Sequence, residues 1–201
     1  MTAADYDGGA AGYDERFRAD PRTPRRYAIV EAPALAIARG RVLELGCGTG
    51  RLLASARAPV RVGIDVAPAM LARAAARGLT VARADAHALP FGSGSFDAIL
   101  AGNAVFGHLD ARRAFAECAR VLAPGGRIAV HQLAARPFSL RRPRAAPGLL
   151  GDLEELRGPA RAAGLVEKEL HLFRGLPVWP YAVRVPAWVG RLWTHVVILF
   201  G

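Results

Sequence analysis

Short apolar and β-branched runs alternate along the chain with longer segments whose apolar positions recur at helical spacing. The runs Arg41–Leu45, Val60–Ile64, Leu79–Ala84, Phe96–Ala101 and Arg127–Leu133 are predicted strands. Between them Gly50–Arg57, Pro68–Arg77 and Asp110–Leu122 are predicted helices, the last stopped by Pro124-Gly125-Gly126. Pro24–Ala38 forms one more helix ahead of the first strand, and Ala-rich stretches at Ala72–Ala76 and Ala160–Ala163 strengthen the helical reading. Strand, helix, strand at this spacing implies right-handed crossovers and a parallel sheet covered on both faces, an α/β architecture.

The pattern changes after Leu133. A loop rich in Arg and Pro leads to a predicted helix, Leu149–Ala163, ended by Gly164, and then to two extended runs, Val166–Phe173 and His195–Phe200. The segment between those runs holds Pro177, Pro180 and Pro186 and is too short for a helical crossover, so the two runs are expected to be antiparallel. Residues 1–201 are expected to form one domain: an N-terminal cap and first helix (1–38), a ligand-binding core (39–133) and a sheet-edge region (134–201).

Composition narrows the chemistry. Of 201 residues, 52% are hydrophobic, enough for a sizeable core without staples. Only Cys47 and Cys118 are present, so neither a disulfide scaffold nor a Cys-based zinc site is expected, no metal is expected, and a reducing cytoplasm fits best. The N-terminus lacks a basic segment followed by an apolar one, and Val196–Phe200 is far too short to span a bilayer. The net charge of +10 raises nucleic acid as a partner, but the charge is spread along the chain and all of it is Arg except Lys168. Its densest cluster, Arg136, Arg141, Arg142 and Arg144, alternates with prolines as a solvated loop would, which disfavours a nucleic-acid surface.

The strongest motif is Val42-Leu43-Glu44-Leu45-Gly46-Cys47-Gly48-Thr49-Gly50, a strand entering a glycine-rich turn that opens a helix. Without Cβ atoms the backbone turns tightly, and a ligand can lie against main-chain N–H groups. In open α/β sheets that place is the topological switch point. Asp65 stands at the tip of the second predicted strand, where a carboxylate can accept hydrogen bonds from both hydroxyls of a ribose. Asp85 stands at the tip of the third, where it can accept from the exocyclic amine of a purine, with Val66 and Leu89 as apolar neighbours. Taken singly, either aspartate also fits a helix N-cap.

The runs VLELGCGTG, GIDVAPAML, ARADAHALPFGSGSFDAILAGNAV and VLAPGGRIAV, in this order, resemble the class I S-adenosylmethionine-dependent methyltransferases, and more closely the small-molecule group called type 11. The resemblance covers about residues 41–133. It implies a Rossmann-like, doubly wound sheet of seven strands, mostly parallel with an antiparallel last strand, and helices on both faces. It implies S-adenosylmethionine as cofactor and S-adenosylhomocysteine as product. Glu44, Gly46, Cys47, Gly48 and Gly50 would match the loop around the methionine part, mainly through backbone groups, and Asp65 the acidic ribose ligand. Asp85 and the Ala86 N–H would match the adenine contacts, and Ala101–Asn103 the strand end beside the reactive methyl.

A nicotinamide or flavin enzyme is the alternative, since it shares a glycine loop and a ribose carboxylate. Its fingerprint wants Gly or Ala where this chain has Arg51, and an NTPase would need a Gly-Lys-Ser/Thr run that is absent. A cofactor-binding protein without catalysis and a nucleic-acid methyltransferase remain as further alternatives. The segment Gly102-Asn103-Ala104-Val105 lacks the Pro-Pro motif of amide and adenine N-methyltransferases, and no Pro-Cys nucleophile follows the fourth strand. A small organic acceptor is therefore expected, methylated at O, N or C. His108 is the first candidate base or substrate contact, with His131 behind it. Tyr6 and Tyr13 lie in a segment that resembles the family's N-terminal cap, while Trp179, Tyr181, Trp188 and Trp193 are candidates for a substrate wall.

Overall fold

A computed structural model of the chain describes residues 3–19, 22–135, 149–150, 153–174 and 193–201. Its strands are β1 (Arg41–Leu45), β2 (Val60–Asp65), β3 (Thr80–Arg83), β4 (Phe96–Ala101), β5 (Leu122–Ala135), β6 (Leu149–Leu150), β7 (Glu167–Arg174) and β8 (Trp193–Phe200). The helices are α1 (Ala3–Gly9), α2 (Tyr13–Arg18), α3 (Arg22–Ile37), α4 (Arg51–Ser55), α5 (Pro68–Ala76), α6 (Ala111–Val121) and α7 (Glu154–Ala162), with a 3-10 turn at Val105–His108.

Seven strands follow the order β3-β2-β1-β4-β5-β8-β7, and β6 joins the side of β5. The first five are parallel; β8 runs antiparallel to both β5 and β7. This is the expected doubly wound sheet with its antiparallel strand. Val42, Leu43 and Leu45 of β1 are all fully buried, the continuous apolar run of a strand covered on both faces. One core lies under α6 and α7, where the Phe115 ring sits 4.4 Å from Phe106 and 5.4 Å from Phe200. The other lies under α3, α4 and α5, where Val30, Ala34, Leu53 and Ala74 meet Val42, Leu100 and Ala129.

The expected helix end at Gly164 forms by the left-handed route: Gly164 takes φ +81°, its N–H donates to Arg161 O, and Leu165 N–H donates to Ala160 O. Two boundaries differ from expectation. The helix predicted from Leu149 starts at Glu154, and Leu149-Leu150 instead pairs with Leu133 and Ala134 of β5. The cause lies in sheet geometry, because β4 last pairs at Ala101 with Val130, and the backbone groups of β5 beyond that point need another partner. Strand β5 itself begins at Leu122 rather than Arg127. Phe96 pairs with Leu122 and Ala98 with Arg127, so Pro124-Gly125-Gly126 is looped out between two registered pairs.

Candidate active site

The glycine turn leaves β1 with Gly46, Gly48 and Gly50 all at positive φ. Cys47 N–H donates to Ile64 O at 2.8 Å, which ties the turn to β2. Gly50 and Gly48 differ in purpose. A Cβ on Gly50 would stand 2.3 Å from Leu79 Cδ1, so this residue lets α4 pack against the start of β3, whereas a Cβ on Gly48 would meet nothing within 4 Å. Asp65 joins the turn to the next one: Oδ2 accepts from Gly48 N–H at 2.8 Å and Oδ1 from Ala67 N–H at 2.9 Å. Each oxygen keeps a second lone pair.

A cavity of about 380 Å³ opens where the carboxyl ends of β1 and β4 diverge. The expected residues Gly46, Cys47 and Gly48 line one wall, and Asp65 and Val66 the next. Asp85 and Ala86 line the far end, while Asn103 and His108 flank the mouth. Glu44 and Gly50 stand behind the wall, and Leu89 is turned into the core under α6. Glu44 is 2% exposed and, among the described residues, its Oε2 has no hydrogen-bond partner. Burial, then the negative charge of Glu31, pushes its carboxyl well above the ordinary range. Beside it Glu31 holds the guanidinium of Arg51, which lies 4.9 Å over the Tyr27 ring. Burial also pushes the Cys47 thiol up, which keeps it in the protonated form that is the poorer nucleophile.

At the far end Asp85 Oδ1 accepts from the backbone N–H of His87 at 2.9 Å and faces His87 Nδ1 at 2.7 Å. The first of these bonds is the main cause that lowers the Asp85 pKa. No helix starts there; the N-cap of the nearby α6 is Asp110, whose side chain accepts from Arg113 N–H. At the mouth Asn103 (φ 52°) and Ala104 (φ 63°) form a left-handed turn that non-glycine residues adopt at a cost of about 1–3 kcal/mol each. His131, 3% exposed, holds this turn from behind through Ala104 N–H to its carbonyl (3.1 Å) and Asn103 N–H to its Nδ1 (3.3 Å). It does not line the cavity.

The N-terminal segment forms the remaining wall. Tyr6 and Tyr13 line the cavity, and the Tyr6 hydroxyl lies 3.4 Å from His108 Nε2 with the two rings edge to face. Partial burial lowers the His108 pKa from its ordinary 6.5. Two aspartates anchor the segment, and neither was among the sequence candidates. Asp7 Oδ1 accepts from Ala69 N–H at 2.8 Å, capping α5 from another element, since the cap residue Ala67 has no side chain that could. Asp14, 9% exposed, accepts from the Thr49 hydroxyl at 2.9 Å and pairs with Arg77 at 2.5 Å. His87, Arg51 and Met70 also line the cavity and were not anticipated; only His87 carried a signal, its place two residues after Asp85. The Arg136–Arg144 cluster and Trp179, Tyr181 and Trp188 lie outside the described residues, and Trp193 is backbone-paired with Ala135 in β8. Among the described residues no cluster of three His, Cys, Asp or Glu could hold a metal, and no helix is long and apolar enough to cross a membrane.

Residues 42–126 match the family model described as a methyltransferase domain. The chain is 39% identical over 171 residues to demethylmenaquinone methyltransferase of Thermus thermophilus, covering 80% of this chain and 74% of that one. It is 38% identical over 98 residues to malonyl-[acyl-carrier protein] O-methyltransferase of Methylococcus capsulatus, of which it covers 36%. A geranyl diphosphate methyltransferase solved in complex with S-adenosylmethionine superposes with TM-score 0.70 at 14% identity, covering 94% of this chain and 90% of that one, a likeness of fold. With a methyltransferase relative matched at 39% identity over 74% of its length, and with the glycine turn, Asp65 and the antiparallel strand in place, the chain belongs to the class I S-adenosylmethionine-dependent methyltransferases.

Proposed function

We propose that the chain moves the methyl group of S-adenosylmethionine to a small organic acceptor that enters beside Asn103 and His108. The observation that carries this reading is that the glycine turn, Asp65 and Asp85 line a single cavity, so that the residues expected to meet methionine, ribose and adenine share one space. The residues present fit the cofactor. Gly48 offers an open backbone cradle, Asp65 and Asp85 offer acceptors for hydroxyl and amine donors, and Glu44 holds an orphaned buried carboxylate oxygen behind the turn. Gly46, Cys47 and Gly48 would hold the methionine part, Asp65 the ribose, and Val66, Asp85 and Ala86 the adenine. Glu44 and Gly50 would act from behind, by supporting and packing the turn.

When bound, the cofactor supplies an electrophilic methyl on a sulfonium whose positive charge disappears in the transfer. The protein contributes positioning, which in favourable cases is worth effective molarities of about 10⁵–10⁸ M. The Asn103-Ala104 turn, held by His131, fixes the rim against which an acceptor would lie. His108 Nε2 is within reach of a hydroxyl, as its approach to Tyr6 illustrates, and its lowered pKa keeps the ring neutral near pH 7, ready to take a proton.

A finer reading follows from the relative whose name specifies demethylmenaquinone. An aromatic ring bearing a hydroxyl suits the mouth of the cavity, where Tyr6, Val105 and Leu109 stand beside His108. Calorimetric titration with S-adenosylhomocysteine beside NADH tests the cofactor, and transfer of labelled methyl to naphthols and reduced demethylated naphthoquinones tests the acceptor. Binding of S-adenosylhomocysteine alone together with label in the ring supports both readings. Binding without transfer to any acceptor removes the aromatic one, and no binding removes the enzyme reading.

A further inference from the structure

His87 sits between two elements at the far end of the cavity and makes a separate bond to each. Its Nε2 accepts from the backbone N–H of Asp110 at 2.9 Å. An N–H pointing at Nε2 requires that nitrogen to be unprotonated, so the ring proton resides on Nδ1. Nδ1 lies 2.7 Å from Asp85 Oδ1, and the bond is therefore Nδ1–H donating to the carboxylate. The backbone N–H of His87 donates to the same oxygen at 2.9 Å. Asp85 Oδ1 thus takes two donors from one residue, while its Oδ2 takes none among the described residues. The Asp85 side chain is 58% exposed, so nothing else packs it into one rotamer, whereas that of His87 is only 17% exposed. Asp110 in turn is the N-cap of α6, directly after the turn that carries His108 and Leu109.

We infer that His87 is a positioning residue that pins Asp85 by Oδ1 and thereby aims Oδ2 at the exocyclic amine of a purine in the cavity, with Asp110 N–H setting the tautomer that makes this possible. The inference rests on the reading of the cavity as the site of S-adenosylmethionine. Selectivity for adenine then belongs to the pair and not to Asp85 alone, because a carboxylate held at an exposed site by one backbone N–H only gives up much of its hydrogen bond to rotamer freedom and water.

The test measures dissociation constants for S-adenosylhomocysteine and for its analogue with hydrogen in place of the 6-amino group, which keeps the ring acceptors and removes only the amine. Wild type is expected to prefer the amino form by about 10-fold or more, the range of a charge-assisted hydrogen bond. In His87→Leu, where the backbone N–H of residue 87 still reaches Oδ1, that preference should fall by about threefold or more, and in Asp85→Ala it should fall to about unity. His87→Asn can place an amide N–H near the Nδ1 position and should keep most of the preference. His87→Gln can reach Asp110 N–H but not Asp85, and should lose as much of it as His87→Leu does. A purely structural role would weaken both ligands equally and leave the ratio untouched, so a wild-type ratio in His87→Leu overturns the inference even if affinity drops. Should His87→Leu fail to fold, the contrast between Asn and Gln decides, and equal ratios in those two variants overturn the inference. Failure of wild type to bind S-adenosylhomocysteine is a different result, which removes the cofactor reading and this inference with it.

Discussion

The two walls that face each other across the cavity are built in opposite ways. The wall from Gly46 to Ala86 comes from strand ends and the turns that follow them, and its key bonds connect backbone to side chain over short stretches of adjacent strands: Gly48 to Asp65, Ala67 to Asp65, His87 to Asp85. The wall of Tyr6 and Tyr13 belongs to two short helices near the N-terminus, held in place by Asp7 on Ala69 and by Asp14 on Thr49 and Arg77, partners that stand 35 to 63 positions away. The first wall is rigid because the sheet makes it so. The second depends on a few ion pairs and caps, and such regions open at lower free energy than strands do.

Four experiments break or sharpen this contrast, from the largest effect to the smallest. If His108 takes the acceptor's proton, His108→Gln should lower kcat by about 100-fold or more while leaving the affinity for S-adenosylhomocysteine within a few-fold. Since burial lowers the His108 pKa below 6.5, the neutral base survives to lower pH. The acid limb of the wild-type rate should therefore lie below pH 6.5 and vanish in the variant. Retention of that limb assigns it to another group.

For the strand-built wall, Asp65→Ala removes an acceptor at the expected ribose and should weaken S-adenosylhomocysteine binding by about 10- to 150-fold, or 1.5–3 kcal/mol. An unchanged affinity in a folded variant would refute the ribose assignment. For the helix-built wall, Asp14→Ala leaves Arg77 and the Thr49 hydroxyl without their carboxylate, at a cost of about 1–3 kcal/mol in stability and a loss of about 3- to 10-fold in binding. Faster proteolysis near residue 14 with the rest of the chain intact would mark that wall as separately unfolding, and global melting without early cleavage would join it to the sheet.

Smallest is Glu44→Gln. The folded carboxyl titrates well above the usual 4.5, so between that value and its raised pKa the native state holds a proton that the unfolded chain has lost. Stability from this group accordingly falls as pH rises through that window. Glutamine should flatten the decline, leaving stability at pH 8 equal or higher by up to about 1 kcal/mol, as read from urea melts at pH 5 and pH 8. A steeper decline would mean that Arg51 depends on the Glu44 charge.

The same contrast explains what could be read in the sequence. Apolar runs place β1, β2 and β4 almost to the residue, and the antiparallel relation of the last two runs follows from the short segment between them. The glycine turn, Asp65 and Asp85 are legible because each is a strand tip followed by a turn, a local pattern. Strand β6 is not, since Leu149-Leu150 is extended only because β5 outruns β4 and leaves pairing groups for it. Nor are α1 and α2, which contain two glycines and no apolar stripe and are held by contacts to Thr49, Ala69 and Arg77. His87 lies between these cases: it is adjacent to a legible aspartate, but its second partner, Asp110, sits across the sheet's crossover connection.

Strand β8 occupies the gap between β5 and β7 although it follows both in the chain. During synthesis from the N-terminus, β5 therefore leaves the ribosome with one flank unpaired, and Ile128, Val130 and their neighbours wait for residues 193–200 before their ladder closes. A nascent chain stalled anywhere short of Trp193 presents an apolar, template-ready edge to other nascent chains.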